Sequence, residues 1–385
     1  MNICIDARYV FPKIDGIGRY LINLIDKLSE ITLGNENIHF YILEVEKFSQ
    51  NSLLRKFDSR KNITFIKVPV LPQTIKNHFI RKYIQNLNID IYHYPQFDLP
   101  WFVSGVKIVT SIMDINPQKL SEFFPTKLGW VKRYYSILTN WVALKKSDKL
   151  ICISESTKKE LIEFYNYKDS AKIECIHLGV NSRYFISNEI GRTTNVLENL
   201  KNRYNFDKYF LYVGNNRPHK NLEKVLTAFS NVLKKINFKI KFLLIGQQLN
   251  NNPSMKYQIE KLKIVDKVIC LELNDDEMCS IYSNAQAFVF CSLSEGFGLP
   301  VLEAMSLGTP VITSNLSSMK EIAKGAALLV DPYSIPDIEN NMLKILNDED
   351  LRANLSKKGF ERINEFTWEK CAEKTLQVYS SLLET

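Results

Sequence analysis

The chain has 385 residues, 45% of them hydrophobic and 24% charged, which is typical of a globular protein with two domains. Its net charge is +8, and residues 1–190 hold 26 Lys and Arg against 19 Asp and Glu, which favours either an anionic partner or a basic solvated surface. A run of about 18 apolar residues and the features of a signal peptide are both missing, which argues against a transmembrane or secreted protein.

Short apolar runs alternate with segments of helical periodicity, a pattern that predicts parallel sheets flanked by helices. In the first half the predicted strands are 2–5, 38–43, 63–69, 90–93, 107–112 and 149–153. The main predicted helices are 18–28 and 126–146. The second of these helices carries a stripe of Trp130, Tyr134, Leu138 and Trp141, which we interpret as core or interdomain packing rather than an acceptor groove.

Residues 51–87 combine basic and apolar side chains. The basic ones are Arg55, Lys56, Arg60, Lys61, Lys76, Arg81 and Lys82, and the apolar ones are Leu53, Leu54, Phe57, Phe79 and Ile80. Such a segment can lie on an anionic membrane surface, and it is equally typical of a solvated loop and helix.

The second half repeats the alternation. Its predicted strands are 209–213, 240–245, 267–271, 287–291, 310–313 and 327–330, and its predicted helices are 221–235, 254–262, 275–283, 300–307, 318–323, 335–346 and 350–364. The polar segment 181–205 is interpreted as a linker and the entry to the second domain. The predicted domains are therefore 1–190 and 191–365, with a helix in 366–385 packing back on the first domain.

This organisation predicts an α/β fold of two Rossmann-like, doubly wound parallel sheets that face each other across a cleft. Ligands of such sheets bind at the carboxyl ends of the strands. In EGFGLPVLE (295–303) two glutamates flank a Gly-rich turn between a predicted strand and a predicted helix. The helix start suits an anion and the carboxylates suit hydroxyl groups, as in a sugar nucleotide, although an ordinary helix N-terminus has the same composition.

The segment EGFGLPVLEAM (295–305), followed by GTPVI (308–312), resembles the E-x7-E signature of retaining glycosyltransferases of family 4, which have the GT-B fold. Other segments agree with that family in order and spacing: DARYVFPKIDGIGRYLINLI (6–25), DIYHYPQF (90–97), LICISESTKKEL (150–161), YVGNNRPHKNLEKVLTAF (212–229), LLVDP (328–332) and FTWEKCA (366–372). The resemblance covers nearly the whole chain and is strongest to the mannosyltransferase-like branch of bacterial surface polysaccharide synthesis.

The resemblance implies a role for each matching residue of the second half. Glu303 would hold the ribose hydroxyls of the donor nucleotide, and Glu295 would contact hydroxyls of the donor sugar. Lys220 would neutralise the departing nucleoside diphosphate, and a cation near a helix start needs such a reason because the helix dipole disfavours it. The backbone next to the diphosphate would come from Gly296, Phe297, Gly298 and Leu299, and from Gly214 and Asn215.

Two positions depart from the family pattern. Many relatives carry an arginine directly after the strand-end glycine, where this chain has Asn215, and Arg217 is the nearest substitute. Relatives commonly read His-Asp at the end of the strand 107–112, where this chain has Met113 and Asp114. Asp114 is the remaining catalytic candidate there. In the first βα turn, Gly16 and Gly18 of DGIGR (15–19) would close over phosphate or sugar.

The implied function is retaining transfer of a hexose, most simply mannose from GDP-mannose, to a lipid-linked or surface-polysaccharide glycan. The alternatives are a UDP-hexose or 6-deoxyhexose donor, or a non-catalytic glycosyltransferase-like subunit. Neither a metal nor a cofactor is expected, because metal-ligand spacing is missing and Lys220 can balance the diphosphate. The seven scattered cysteines favour a cytoplasmic location. A lipid-linked acceptor would place the enzyme peripherally on the inner membrane face, and no nucleic-acid-binding motif is found.

Overall fold

The structure, a computed structural model, describes residues 1–12, 15–72, 74–120, 129–180, 194–246 and 252–384. The chain divides into two compact units. The first unit consists of Met1–Gly179 with Thr367–Thr385, and the second consists of Val180–Phe366. The predicted boundary between residues 190 and 191 lies outside the described residues.

The first unit contains a seven-stranded parallel sheet in the order β3-β2-β1-β4-β5-β6-β7. Its strands are β1 (Asn2–Asp6), β2 (His39–Val45), β3 (Ile63–Val68), β4 (Ile91–Tyr94), β5 (Lys107–Ile112), β6 (Lys149–Cys152) and β7 (Ile173–Cys175). Six of them confirm the strands predicted from apolar runs. The sequence reading missed β7, because three residues are too few to show a pattern.

The helices of this unit are α1 (Gly16–Ile31), α2 (Arg81–Ile84), α3 (Asn116–Lys119), α4 (Gly129–Lys146) and α5 (Glu155–Tyr165). Helix α4 corrects one interpretation. Its stripe is not part of the core of the first unit, since Trp130 is 71% and Trp141 is 50% exposed. The helix is held instead by buried residues on its other side, including Ala143 and Leu144.

The second unit contains a six-stranded parallel sheet in the order β10-β9-β8-β11-β12-β13. Its strands are β8 (Lys208–Val213), β9 (Ile240–Ile245), β10 (Val268–Leu271), β11 (Ala287–Phe290), β12 (Val311–Ser314) and β13 (Leu328–Val330). All six confirm the predicted strands. They are buried nearly throughout, as parallel strands covered by helices on both faces must be.

The helices of the second unit are α6 (Thr194–Tyr204), α7 (Leu222–Leu233), α8 (Pro253–Lys261), α9 (Asp275–Ser283), α10 (Leu299–Ser306), α11 (Ser317–Ala323), α12 (Ile335–Asn347) and α13 (Glu349–Ile363). Helix α6 occupies the described part of the segment 181–205, which was interpreted as a linker and the entry to the second domain, and its helical structure was not predicted. It buries Leu197 and packs against α9, so few apolar residues sufficed to hold a mainly polar helix.

The last helix, α14 (Trp368–Ser381), belongs to the first unit and packs on α1. Thr367 caps it by accepting a hydrogen bond from the backbone N–H of Lys370. The buried hydroxyl of Tyr379 contacts Nδ1 of His93 on β4, and Ser111 Oγ lies 2.7 Å from Nε2 of the same ring. A polar network therefore connects this helix to the middle of the first sheet.

We expect His93 to make the first unit less stable as the pH falls. Burial lowers its pKa to about 3, whereas an unfolded histidine has a pKa of about 6.5. The unfolded chain therefore binds the extra proton first, and the free energy of unfolding should fall by up to about 1.4 kcal/mol per pH unit below pH 6.

The measurement is denaturant unfolding between pH 7 and pH 4, followed by tryptophan fluorescence. Trp101, Trp130, Trp141 and Trp368 are the only tryptophans of the sequence and all belong to the first unit. The variant His93→Gln keeps polar atoms beside both hydroxyls without the titrating ring, so its pH dependence should be flatter. Parallel curves for the two proteins would contradict the assignment.

Candidate active site

The candidate site of the second unit lies where β8 and β11 are neighbours in the sheet. Their register pairs Phe210 with Ala287 and Leu211 with Phe288, so both strands end at the same edge. The chain runs outward from β8 to β9 and β10 on one side and from β11 to β12 and β13 on the other. This is the switch point at which doubly wound sheets bind ligands, and the loops that leave it carry Lys220 and Glu295.

Lys220 and Glu295 form a close ion pair at this edge. The Lys220 Nζ atom lies 2.6 Å from Oε1 and 2.8 Å from Oε2 of Glu295. Both side chains are mostly buried, with 17% and 13% of their surface exposed. The same Nζ atom lies 5.2 Å from the ring centre of Phe290, a cation–π contact at the end of β11. The predicted phosphate lysine and the predicted sugar glutamate are therefore in contact.

Asn221 fixes the position of Lys220. It has a positive φ of 59°, and its buried side-chain amide donates to the carbonyl oxygens of Cys291 (3.0 Å) and Pro332 (2.7 Å). The backbone N–H of Leu293 donates to the carbonyl of His219 at 2.7 Å. These bonds join the loop after β8 to the loops after β11 and β13, and they hold the lysine against its partner.

Two serines at the start of α11 fix the backbone of Glu295. The Ser317 hydroxyl accepts from the Glu295 N–H at 3.2 Å and lies 2.8 Å from its carbonyl oxygen, to which Ser318 also donates at 2.9 Å. Sequence reasoning missed Ser317, Ser318 and Asn221. Their only sequence signal is the residue type expected near any helix start.

The Gly-rich turn between β11 and α10 requires glycine at Gly298. Its φ of 121° disfavours a side chain, and a Cβ atom there would lie 2.3 Å from Cε of Met319. The side chain of Phe297 is buried with its ring against Phe366, so only its backbone can contact a ligand. Gly296 is half-buried, and Leu299 begins α10.

Glu303 lies on the second turn of α10, with only 8% of its surface exposed. The Tyr282 hydroxyl of α9 donates to its Oε2 atom at 3.5 Å, a long hydrogen bond. A carboxylate at this depth is costly without partners that neutralise or hydrogen-bond it. Its role as the ribose ligand stays a prediction.

The turn after β8 holds the remaining candidates of this unit. Gly214 has a φ of 147°, its N–H donates to the carbonyl of Ile245 at 3.0 Å, and a Cβ atom would lie 3.3 Å from the Tyr212 hydroxyl. That hydroxyl donates to the Asn215 carbonyl at 2.8 Å, and burial raises the Tyr212 pKa. Asn215 and Arg217 are exposed. That Arg217 takes the place of the family arginine stays a prediction.

The candidates of the first unit lie at carboxyl ends of its strands. Asp114 follows β5 and accepts a hydrogen bond from the N–H of Asn116 at 2.9 Å, while Met113 beside it is 9% exposed. In the first βα turn, Asp15 caps α1 by accepting from the Gly18 N–H at 2.8 Å, and space is open beside Gly16. The structure places Gly16 and Gly18 in the first turn of α1, at a helix start as the sequence predicted.

Comparisons with known proteins agree with the fold. Residues 198–362 match the family described as "Glycosyl transferases group 1", and residues 14–184 match "Glycosyltransferase Family 4". The sucrose-phosphate synthase of Thermosynechococcus elongatus has a similar structure, with a TM-score of 0.75, 19% identity, and coverage of 100% of this chain and 99% of that one. The family matches and the fold thus define a glycosyltransferase with the GT-B fold, which confirms the predicted fold class.

Two curated relatives extend the comparison. The "O-antigen chain mannosyltransferase B" of Escherichia coli is 26% identical, over 99% of this chain and 100% of its own length. The "O-antigen chain mannosyltransferase RfbU" of Salmonella typhimurium is 30% identical over 58% of this chain and 56% of its own length. Together with the family matches over residues 14–184 and 198–362, these relatives support a family 4 glycosyltransferase, the family that the motifs predicted.

Proposed function

We propose that the protein is a retaining hexosyltransferase that uses GDP-mannose and extends a lipid-linked or surface-polysaccharide glycan. The observation that carries this proposal is the contact of Lys220 with Glu295 at the sheet edge between β8 and β11. A cation and a carboxylate at one point match a ligand with adjacent phosphate and hydroxyl groups. The names of the two curated mannosyltransferase relatives support mannose as the sugar.

In the proposed reaction the donor diphosphate approaches Lys220, and the hydroxyls of the sugar approach Glu295. The bond between the anomeric carbon and the phosphate oxygen breaks while the acceptor oxygen bonds to the same face of that carbon. The acceptor proton passes to the departing phosphate oxygen, so no protein nucleophile is required. Lys220 stabilises the charge that develops on this oxygen, and the rigid loops hold the reactants in position. The lysine makes a metal unnecessary in this scheme.

The proposed acceptor places the enzyme at the cytoplasmic face of a membrane. Among the described residues, no helix is long and apolar enough to span a bilayer. Contact with the lipid-linked acceptor would then depend on the protein surface. The basic side chains predicted for this purpose fall into two groups. Arg55 pairs with Glu44 and Lys56 with Asp26, whereas Arg81 and Lys82 are exposed.

Met113 favours a second candidate donor. A thioether at the end of β5 cannot replace the hydrogen bonds of a histidine, and it suits the apolar edge of a 6-deoxy sugar. Its low exposure is consistent with an apolar contact. The same substitution is the reason to consider a subunit that binds a nucleotide sugar without turning it over.

A donor screen tests the proposal. The purified protein is incubated with GDP-mannose, GDP-fucose, UDP-glucose and dTDP-rhamnose and with lipid-linked glycan acceptors, and the released nucleoside diphosphate is measured. We expect turnover with GDP-mannose, with retention of the anomeric configuration in the product. Turnover with a 6-deoxyhexose donor alone would favour the second candidate, and saturable binding without turnover of any donor would contradict an enzyme. Lys220→Ala serves as the inactive control.

A further inference from the structure

Helix α4 of the first unit exposes a continuous stripe of large apolar side chains. At 100° per residue, positions 130, 131, 134, 135, 138 and 141 cover an arc of about 140° on one side of the helix. The exposed fractions are 71% for Trp130, 70% for Tyr134 and 50% for Trp141. Exposed apolar patches of this extent mark interaction sites, whereas isolated apolar residues need no explanation.

The patch continues from α4 onto two neighbouring segments. His78 bridges them, because its Nε2 atom lies 2.8 Å from the Tyr135 hydroxyl and its ring stacks on Trp101 with centroids 4.4 Å apart. The residues that follow these two in sequence, Phe79 and Phe102, are 56% and 51% exposed and contact each other at 5.2 Å. We call the exposed side chains of Ile75, Phe79, Phe102, Trp130, Tyr134 and Trp141 the aromatic face.

The two segments that supply all of the aromatic face except Phe102 carry charges of one sign. The segments 74–84 and 129–146 contain seven Lys and Arg and no Asp or Glu: Lys76, Arg81, Lys82, Lys132, Arg133, Lys145 and Lys146. All of these except Arg133 are exposed, and Lys145 lies 5.6 Å from the ring of Trp141. The basic residues nearer the start of the chain are different, since Lys56 and Arg60 both pair with Asp26.

We propose that the aromatic face docks on an anionic lipid bilayer, with the rings at the level of the headgroups and the cations against lipid phosphates. Trp and Tyr favour this interfacial zone because each has an apolar body and a polar end. The basic side chains of the segments 74–84 and 129–146 add electrostatic attraction to a negatively charged leaflet. Because each of these contributions is weak, the binding is reversible. The inference deepens the proposed function, because it names the surface by which the enzyme reaches a lipid-linked acceptor.

Co-sedimentation of the full chain with vesicles tests the proposal without donor or acceptor. We expect binding to vesicles of 70% phosphatidylcholine and 30% phosphatidylglycerol, weaker binding to pure phosphatidylcholine, and a decrease as salt screens the charges. Brominated phosphatidylcholine should quench the tryptophan fluorescence of the bound protein, because Trp130 and Trp141 would lie beside the lipid. Binding without quenching would contradict insertion of the aromatic face.

Two variants and two matched controls locate the surface. Trp130→Ser with Tyr134→Ser and Trp141→Ser, and separately Arg81→Glu with Lys82→Glu, should each weaken vesicle binding more than tenfold. The controls alter equally exposed groups of the second unit: Tyr257→Ser with Tyr333→Ser, and Lys357→Glu with Lys358→Glu. They should bind vesicles as the wild type does. Since every substitution is on the surface, unfolding transitions should remain close to that of the wild type.

Other occupants of the aromatic face predict different results. A second copy of the chain would give a concentration-dependent dimer that the triple variant abolishes, without vesicle binding by the wild type. A glycan acceptor would give a raised KM for a water-soluble acceptor with unchanged vesicle binding. Either result overturns the proposal. Binding of GDP is measured separately in each variant, so failure of vesicle binding is distinguishable from failure of the proposed enzymatic function.

Discussion

Glu303→Ala is expected to weaken the binding of GDP by about 3 kcal/mol, or roughly 100-fold, which is the loss of two hydrogen bonds to a charged group. The carboxylate of Glu303 can accept both hydroxyls of a ribose, and an alanine can accept neither. Glu303→Gln keeps one acceptor oxygen without the charge, so its affinity should be intermediate. Isothermal titration with GDP measures all three proteins.

A nucleotide without ribose hydroxyls separates a direct contact from a structural effect. The wild type should bind 2′,3′-dideoxy-GDP much more weakly than GDP, and Glu303→Ala should bind the two nearly alike. Glu339 provides the matched control, because it is similarly buried on another helix of the same unit and pairs with Lys235 at 2.6 Å. Glu339→Ala should lower stability and leave the preference for ribose intact. If Glu303→Ala still distinguishes the two nucleotides, the ribose assignment is wrong.

The strands of both sheets could be predicted because buried parallel strands are short apolar runs bounded by polar turns. Phe210, Phe242 and Phe288 all stand in such runs. The order of the strands in the sheet does not follow from apolar runs, because β8 pairs with β11 although 73 residues separate Val213 from Ala287. The prediction that Lys220 and Glu295 belong to one site came from the family resemblance and not from periodicity. The structure adds that the two side chains contact each other.

Helix α4 and helix α6 show why the remaining predictions failed. In α4 the apolar periodicity was real, but the sequence does not tell whether an apolar stripe packs inside the unit or stays exposed, and Trp130 stays exposed. In α6 a polar segment forms a helix because tertiary packing of Leu197 compensates for its low overall hydrophobicity. The serines around Glu295 were missed because their partners are backbone atoms 22 and 23 residues away.

Lys220→Ala is expected to lower kcat roughly 100- to 1,000-fold, as the loss of one group that stabilises developing charge does in other enzymes. KM for the donor should change less, because the charge on the leaving phosphate is greatest in the transition state. Lys235→Ala is the matched control, since it removes the lysine of another ion pair in the same unit, with Glu339, and should leave kcat unchanged. Steady-state release of nucleoside diphosphate measures both.

Glu295→Gln should change the binding of free GDP and the transfer of the sugar in opposite directions. Glu295 neutralises Lys220 at 2.6 Å, so a diphosphate that binds Lys220 must compete with this carboxylate for the ammonium group. Removal of the competing charge should tighten the binding of free GDP by about 1 kcal/mol, or roughly fivefold, the value of a partly exposed ion pair. Transfer from GDP-mannose should nevertheless fall, because the sugar hydroxyls lose a charged acceptor.

The double variant Lys220→Ala with Glu295→Gln tests whether competition for the ammonium group of Lys220 causes the gain in GDP affinity. If diphosphate and Glu295 compete for the same ammonium group, the gain in GDP affinity from Glu295→Gln requires Lys220 and should disappear in the double variant. A gain that persists without Lys220 would mean that Glu295 repels the diphosphate directly. Weaker GDP binding by Glu295→Gln alone would contradict competition altogether, because the carboxylate would then support the phosphate site instead of occupying its cation.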